Sequence, residues 1–484
     1  MNKKIFWTLI NLGVCGITVA TVVPLVYTVL SNNKTIESYD NLPTEVHYDN
    51  KATPISDGSY AFSTYDKKSN SINYSNGPTG VTPSEGVEKN ANISRRYLFN
   101  EYEVKQAQRT VGINYYSYGG SGIHSGTGWI LDYKITEGNS YPLTWYFATN
   151  AHVIQNLKVP YDTMTPERYE TNDNYNNTEY IEFINLKDFT LNKDLGTTAT
   201  SNTSHQATRI KIINDEGQPK AKTIFIGNDF LKTSPKMYSK TDRWQRFEEY
   251  ADFAVMEMTF DNEEEARTVT MNYANNKDNQ FKYKKESLLA RPDKIKKNNY
   301  SVVGFPASPN NVYVSSISVS KHENPTEKEQ KTLTNLATSP FYNSYEDVKG
   351  IMDAAISLSF FGYEYRQYVS KEKDDDFFLS WGLMYPVDYG SLTGGSSGSM
   401  LMDSEGHTLG IHFAGDFDAS IGLAQALYCE GFDYQGIFGR YNLEGYDLID
   451  GGFINQKKSY RDSMIQMYGK ENLKTNLYPN GINR

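Results

Sequence analysis

The stretch Tyr389–Gly415, YGSLTGGSSGSMLMDSEGHTLGIHFAG, runs a Gly/Ser-rich segment straight into two apolar ones. Gly/Ser runs ordinarily join domains as flexible linkers. Here MLMD and TLGIHFAG flank an Asp/Ser/Glu/Gly turn and read as two strands of a hairpin, so the run sits against a core. Within it, Gly395-Ser396-Ser397-Gly398-Ser399 has the form G-x-S-G-S. Glycine on either side of Ser397 permits a tight turn that exposes the hydroxyl. It also lets the N–H groups of Gly395 and Ser397 converge on one point, as the oxyanion of a tetrahedral intermediate requires. Ser397 is the candidate nucleophile, and Gly395 and Ser397 are the candidate oxyanion donors. Taken by itself, the pattern also fits a plain turn.

A serine nucleophile needs a base, and the chain offers seven histidines. His47 lies in a polar N-terminal region, His205 and His322 in polar loops, and His407 at the hairpin turn. His124 belongs to a glycine run, Gly119–Gly128, that reads as the turn feeding the next strand. His412 is in the strand after the nucleophile. Only His152 closes a strongly apolar strand, WYFATNAHVI, and enters a helical turn. An imidazole base needs a carboxylate to set its tautomer. Asp252 stands between Ala251 and Phe253 at the start of the strand YADFAVMEMTF. The chain order His152, Asp252, Ser397 is one of three unrelated orders known for this chemistry, the one found with paired β-barrels.

Two rival chemistries fit less well. Gly394–Gly398 also matches G-x-S-x-G with Ser396 as nucleophile, but an α/β-hydrolase needs a helix directly after that serine and an acid and a histidine downstream. A strand, a turn and another strand follow instead. No H-E-x-x-H occurs, which disfavours a zinc protease, and no metal or cofactor is expected.

The chain of 484 residues has a net charge of −10, which argues against nucleic acid as a partner. Its two cysteines, Cys15 and Cys429, give no disulfide framework. Residues 5–30 carry no charge, and as a helix would span about 39 Å, enough to cross a bilayer. Lys3 and Lys4 precede this run, which predicts a single-pass anchor over residues 1–31 with a cytoplasmic N-terminus and an extracellular body. A cleaved signal and lipidation at Cys15 are the alternatives. Residues 32–95 are polar and turn-rich, and read as a flexible stalk.

Residues 96–484 are expected to form a mainly β body with long inserted loops. The pattern fits a barrel or a sandwich, followed by a C-terminal extension, 431–484. The extension contains a helix in NQKKSYRDSMIQMYGKENL with Asn455 as its possible cap. Two polar stretches, beginning at TPERYETNDNYNNTEY and KHENPTEKEQKTLTNL, read as surface insertions.

The segments SGTGWILDY, FATNAHVI, DFAVMEM and TGGSSGSMLMDSEGHTLGIHFAG resemble, in order, the four landmark segments of chymotrypsin-like serine proteases. The last is most like that of bacterial glutamyl endopeptidases. The tail YDLIDGGFINQKKSYRDSMIQMYGKENLKTNLYPNG is similar to the C-terminal region of the DUF31 family of mycoplasma surface serine proteases, which includes immunoglobulin-cleaving members. The resemblance implies a chymotrypsin-like double β-barrel, its first barrel over about 105–290 and its second over about 298–430, with the triad His152, Asp252 and Ser397. It also implies a host protein as substrate, immunoglobulin heavy chain first, and a partner protein that captures the antibody. It places Leu392, His412 and Phe413 at the primary substrate pocket. In the glutamyl endopeptidases a histidine matching His412 helps to bind an acidic side chain, together with a threonine hydroxyl at the position of Leu392. One of those two groups is missing here, so His412 is expected to serve mainly as a wall. The immunoglobulin-cleaving members are longer on the N-terminal side. A catalytically inactive adhesin or antibody-binding protein on the same scaffold is the alternative function.

Overall fold

Strand formation follows the apolar and β-branched runs of the sequence. The computed structural model describes residues 61–66, 71–76, 94–95, 97–117, 123–138, 140–159, 177–195, 204–233, 247–288, 299–308, 311–314, 318–320, 337–338, 341–342, 352–353, 377–388, 392, 394–416, 421–431, 443–469 and 473–482. The expected anchor over residues 1–31 lies outside them, as does most of the second polar insertion. Among the described residues no helix is long and apolar enough to cross a membrane.

The first large sheet is built from β4 (Thr110–Ser117), β5 (Ile123–Tyr133), β6 (Thr144–Thr149), β7 (Thr178–Leu186), β8 (His205–Lys211), β9 (Ala221–Asn228), β10 (Phe247–Thr259) and β18 (Phe377–Ser380). Its order is β18-β10-β6-β5-β4-β7-β8, with β9 also paired to β10. All pairings are antiparallel except the parallel β10–β18 pair. β8 and β9 meet through the bridge Ile213–Pro219, and the Lys220 N–H donates to Ile212 O at 2.6 Å.

The second sheet contains β3 (Ser94–Arg95), β11 (Tyr300–Gly304), β14 (Ser318–Ser320), β15 (Ala337–Thr338), β19 (Leu383–Asp388), β20 (Met400–Asp403), β21 (Thr408–Asp416) and β22 (Ile421–Ala426), in the order β15-β19-β22-β21-β20-β11-β14-β3. Four small two-stranded pairs complete the sheets. These are β1 (Ala61–Asp66) with β2 (Ser71–Asn76), β12 (Ala307–Ser308) with β13 (Asn311–Val314), β16 (Phe341–Tyr342) with β17 (Met352–Asp353), and β23 (Tyr428–Cys429) with β24 (Tyr446–Asp447). The helices are short: α1 (Glu101–Ala107), α2 (Ala151–Ile154), α3 (Glu263–Val269) and α4 (Tyr460–Tyr468).

The apolar runs of β5, β6 and β10 are near-continuous because both faces of these strands are buried. Side chains alternate between faces along a strand. Ile130, Phe147 and Met256 therefore point into the core of the first sheet. Trp129, Ala148 and Val255 point into a second core shared with Val302, Met400 and Ile411 of the other sheet. Trp129 stacks on Phe281 there, with ring centroids 5.3 Å apart.

Three expectations need correction. The first polar stretch, 165–206, is not surface loop throughout: β7 lies inside it, because Ile181, Phe183, Ile184 and Leu186 supply a buried face to a strand paired between β4 and β8. Within 32–95, β1 pairs with β2, and Ser94–Arg95 pairs with β14. His205 is no loop residue. It begins β8, is buried, and packs edge-on against Phe305. The C-terminal helix is capped by Ser459, since Asn455 lies too far upstream and instead donates to Glu444. Ser459 Oγ accepts from the Asp462 N–H at 3.1 Å, the first arm of a capping box.

The C-terminal segment straps the first sheet to the second. Its Tyr460 hydroxyl donates to Asp132 Oδ2 at 3.2 Å, the Leu477 N–H donates to Asp132 Oδ1 at 3.0 Å, and the Asn476 N–H donates to Tyr133 O. On the other side, Leu448 N–H donates to Leu427 O, next to β22. Burial, partly offset by these hydrogen bonds, pushes the Asp132 carboxyl up to about 7. Its unfolded value is about 4, so the folded chain keeps a proton that the unfolded chain has lost between those values. The associated stability is complete below about pH 4 and is lost as pH rises toward 7. Asp132→Asn removes that titration. Its melting temperature relative to wild type should therefore improve steadily from pH 4 to pH 7 and then level off, in parallel denaturation scans.

Candidate active site

His152 and Asp252 come together across 100 residues of sequence. β6 ends at Thr149 and α2 turns away at once, which points the second residue of the helix back toward β10. The imidazole Nδ1 lies 2.6 Å from Asp252 Oδ2, and the His152 main-chain N–H donates to Asp252 Oδ1 at 3.1 Å. The carboxylate accepts both bonds, so the ring proton sits on Nδ1 and Nε2 is left as a proton acceptor. Asp252 is fully buried, and His152 keeps about 8% of its surface.

Asp252 lies within β10 rather than at its start, because β10 begins earlier, at Phe247. The register with β9 jumps there. Tyr250 faces Asn228 and Ala254 faces Ile226, so β10 advances four residues while β9 advances two. Such a bulge turns a side chain out of the regular alternation. Gly227 permits the bulge: a Cβ at that position would lie 2.4 Å from Ala251 O.

Ser397 sits on a turn tied to both sheets. Gly395 and Gly398 hold φ of +93° and +95°, which glycine adopts without strain. Thr127 N–H donates to Ser397 O at 2.8 Å, Gly398 N–H to His412 O at 2.9 Å, and His412 N–H to Ser399 O at 2.7 Å. Thr127 Oγ1 donates to Gly395 O at 2.9 Å, and Ala307 N–H to Gly394 O at 2.6 Å. These bonds engage the carbonyls of the turn. Among the described residues, the N–H groups of Gly395 and Ser397 have no partner.

The two halves of the site share a post, Thr127. Its N–H holds the serine turn, and its carbonyl accepts from Thr149 Oγ1 at 2.7 Å, three residues before His152. A Cβ on Gly398 would lie 2.6 Å from that same hydroxyl, and one on Gly126 would lie 2.3 Å from Val153, the residue after His152. The histidine turn and the serine turn therefore both pack against Gly126 and Thr127 of β5. Gly126 and Thr127 belong to β5, which begins at Ile123. The glycine run ending at Gly128 is thus strand in its second half and not only the turn before it. A glycine inside a strand marks a close approach, and that signal was available in the sequence.

The expected pocket residues Leu392, His412 and Phe413 are all buried. Burial, with the charge of the neighbouring His152 as a smaller cause, lowers His412 to about 4, so it is uncharged at neutral pH. Its Nδ1 has no partner among the described residues. His407 lies beside Asp403 and Glu405 at the β20–β21 turn, where Lys284 bridges both acids. A second acidic group, Asp229, Glu248 and Glu249, is near enough to share a cation, and Lys457 already pairs with its Asp229.

The packing of the serine turn on β5 can be tested with two glycines. Gly398→Ala and Gly406→Ala both place a Cβ on a residue with positive φ, but only the first meets an obstacle, Thr127 O at 2.0 Å. Backbone strain costs about 1–2 kcal/mol at either site. Gly398→Ala should therefore lower stability well beyond Gly406→Ala in matched urea titrations. Equal losses would contradict this packing.

A family model described as mycoplasma immunoglobulin protease matches residues 100–414, a span that contains His152, Asp252 and Ser397. A membrane-associated lipoprotein of Ureaplasma parvum is 27% identical over 442 residues, covering 74% of this chain and 50% of the relative. An uncharacterized lipoprotein of Mycoplasma pneumoniae is 25% identical over 410 residues, covering 73% of this chain and 70% of the relative. The chain thus spans about half the length of the Ureaplasma protein. The solved structure of the mycoplasma MIB and MIP proteins aligns with a TM-score of 0.55 at 20% identity, over 75% of this chain and 60% of that one, a likeness of fold. With the family model covering well over half of its length, the chain belongs to the mycoplasma immunoglobulin protease family.

Proposed function

We propose that the protein is a membrane-attached extracellular serine endopeptidase, with the two large sheets acting as the paired barrels of a chymotrypsin-like fold. The observation that carries this reading is the Asp252 carboxylate bonded to both the ring and the backbone of His152, set against a glycine turn that presents Ser397. Ser397 Oγ attacks the scissile carbonyl while His152 Nε2 takes its proton. Asp252 stabilises the imidazolium that results. The N–H groups of Gly395 and Ser397 receive the oxyanion, and they are available because neither takes part in the turn's other hydrogen bonds. His152 then returns the proton to the leaving amine, and water releases the acyl group by the same route.

The family supports a protein substrate, immunoglobulin heavy chain first, delivered by an antibody-capturing partner. The MIB and MIP structure supports the partner, being that of two mycoplasma proteins. Attachment to the membrane is supported by the lipoprotein relatives, which favour acylation of Cys15 over an uncleaved helix. The second reading, an inactive antibody-binding surface protein, keeps the scaffold without the chemistry.

A fluorophosphonate probe separates the two. The folded protein should be labelled, Ser397→Ala should abolish labelling, and Asp252→Asn should slow it by about 10⁴-fold. Failure to label the folded wild type would favour the binder. Incubation with immunoglobulin G, with and without a capture protein, then tests the substrate. For the pocket of Leu392, His412 and Phe413, an uncharged His412 supplies no cationic attraction. Peptides with Glu or Gln at the cleaved position should therefore be cut at comparable rates near pH 7.5. A strong preference for Glu would overturn the reading of His412 as a wall.

A further inference from the structure

The side chain of Asn150 is used in an unusual way, and the inference drawn from it rests on the protease reading above. Asn150 precedes α2, where an asparagine ordinarily caps the helix by accepting a bond from its first N–H groups. Its side chain makes no such bond. Nδ2 donates instead to the main-chain oxygen of Asp252 at 2.5 Å. The helix N–H at His152 is capped from across the gap, by Asp252 Oδ1. The acid caps the histidine's helix, and the amide holds the acid's backbone.

The bulge in β10 creates the need for this exchange. Asp252 falls in the interval between Tyr250 and Ala254, where the register with β9 is broken, and pairing with β6 begins only at Ala254–Thr149. No strand residue is in register with Asp252, yet the residue is fully buried. A buried carbonyl without a donor is costly, and Asn150 supplies the donor. Asn150 is itself fully buried, and its Oδ1 has no partner among the described residues. The bond to Asp252 is thus the only one its carboxamide makes among them. A leucine of similar size would pack there without burying an unpaired oxygen.

We propose that Asn150 is a positioning residue whose carboxamide pins the bulged backbone at Asp252 and so fixes the carboxylate against His152 Nδ1. Its loss leaves the triad intact in composition and loosens it in geometry.

The test compares Asn150→Leu and the isosteric Asn150→Asp with Asn156→Leu. Asn156 serves as control because it bonds the same helical turn, through Val153 O at 3.1 Å and His152 O at 3.5 Å, and makes no hydrogen bond to Asp252. The first readout needs no substrate: the deshielded proton resonance of His152 Nδ1 in the full chain. It should persist in wild type and in Asn156→Leu, and broaden or move upfield in both Asn150 variants. In peptide hydrolysis, kcat should fall about 10- to 100-fold with KM unchanged. The acid limb of kcat should move to lower pH, because a loosened carboxylate favours the imidazolium less. A folded Asn150→Leu with wild-type resonance and acid limb overturns the proposal, as does the same change in Asn156→Leu. If the resonance responds as expected in a wild type that cleaves nothing, the positioning role stands and the protease reading falls.

Discussion

The site depends on one carboxylate making two bonds to one residue. Asp252 grips His152 by its ring and by its backbone at once, so ring orientation and helix position are set together. A single bond to Nδ1 would leave the imidazole free to pivot about it. The second bond removes that freedom, and burial makes both bonds stronger than they would be in water. The cost is borne by the strand. β10 must bulge to aim the acid, Gly227 must lack a side chain beneath the bulge, and the main chain at Asp252 must find a donor outside its ladder.

Thr127 extends the same logic to Ser397. One residue of β5 receives the serine turn on its N–H and the histidine strand on its carbonyl, so the two turns are referred to a common backbone position. Gly126 and Gly398 are the clearances that let the parts meet. Small residues at these points are a packing requirement before they are a catalytic one.

The remaining buried charges tie the C-terminal segment to the sheets. Asp132 gathers donors from Tyr460 and Leu477, and Asp447 accepts from Tyr283 and from the amides of Ile449 and Asp450. Burial without such bonds would be prohibitive for either acid. The strap therefore uses polar bonds where a larger core would use area, and it couples β5 to the last helix.

The sequence by itself determined most of the strand-forming segments and marked His152, Asp252 and Ser397 as candidates. The apolar runs around Trp129, Phe147 and Val255 have both faces buried, and that composition is visible without a structure. His152, Asp252 and Ser397 were legible because each stands beside a strand signal in a known chain order. Only the tertiary structure decided the supporting bonds. Thr127 and Gly395 are 268 residues apart, and Asn150 and Asp252 are 102 apart. Local pattern carries no information about such distant partners. The bulge at Asp252 and the buried His205 were missed for the same reason, whereas the Ser459 cap is a local signal, with Asp462 three residues on, that the sequence already carried. The bulge and the buried histidine are each set by what packs against them, and that is a property of the assembled chain.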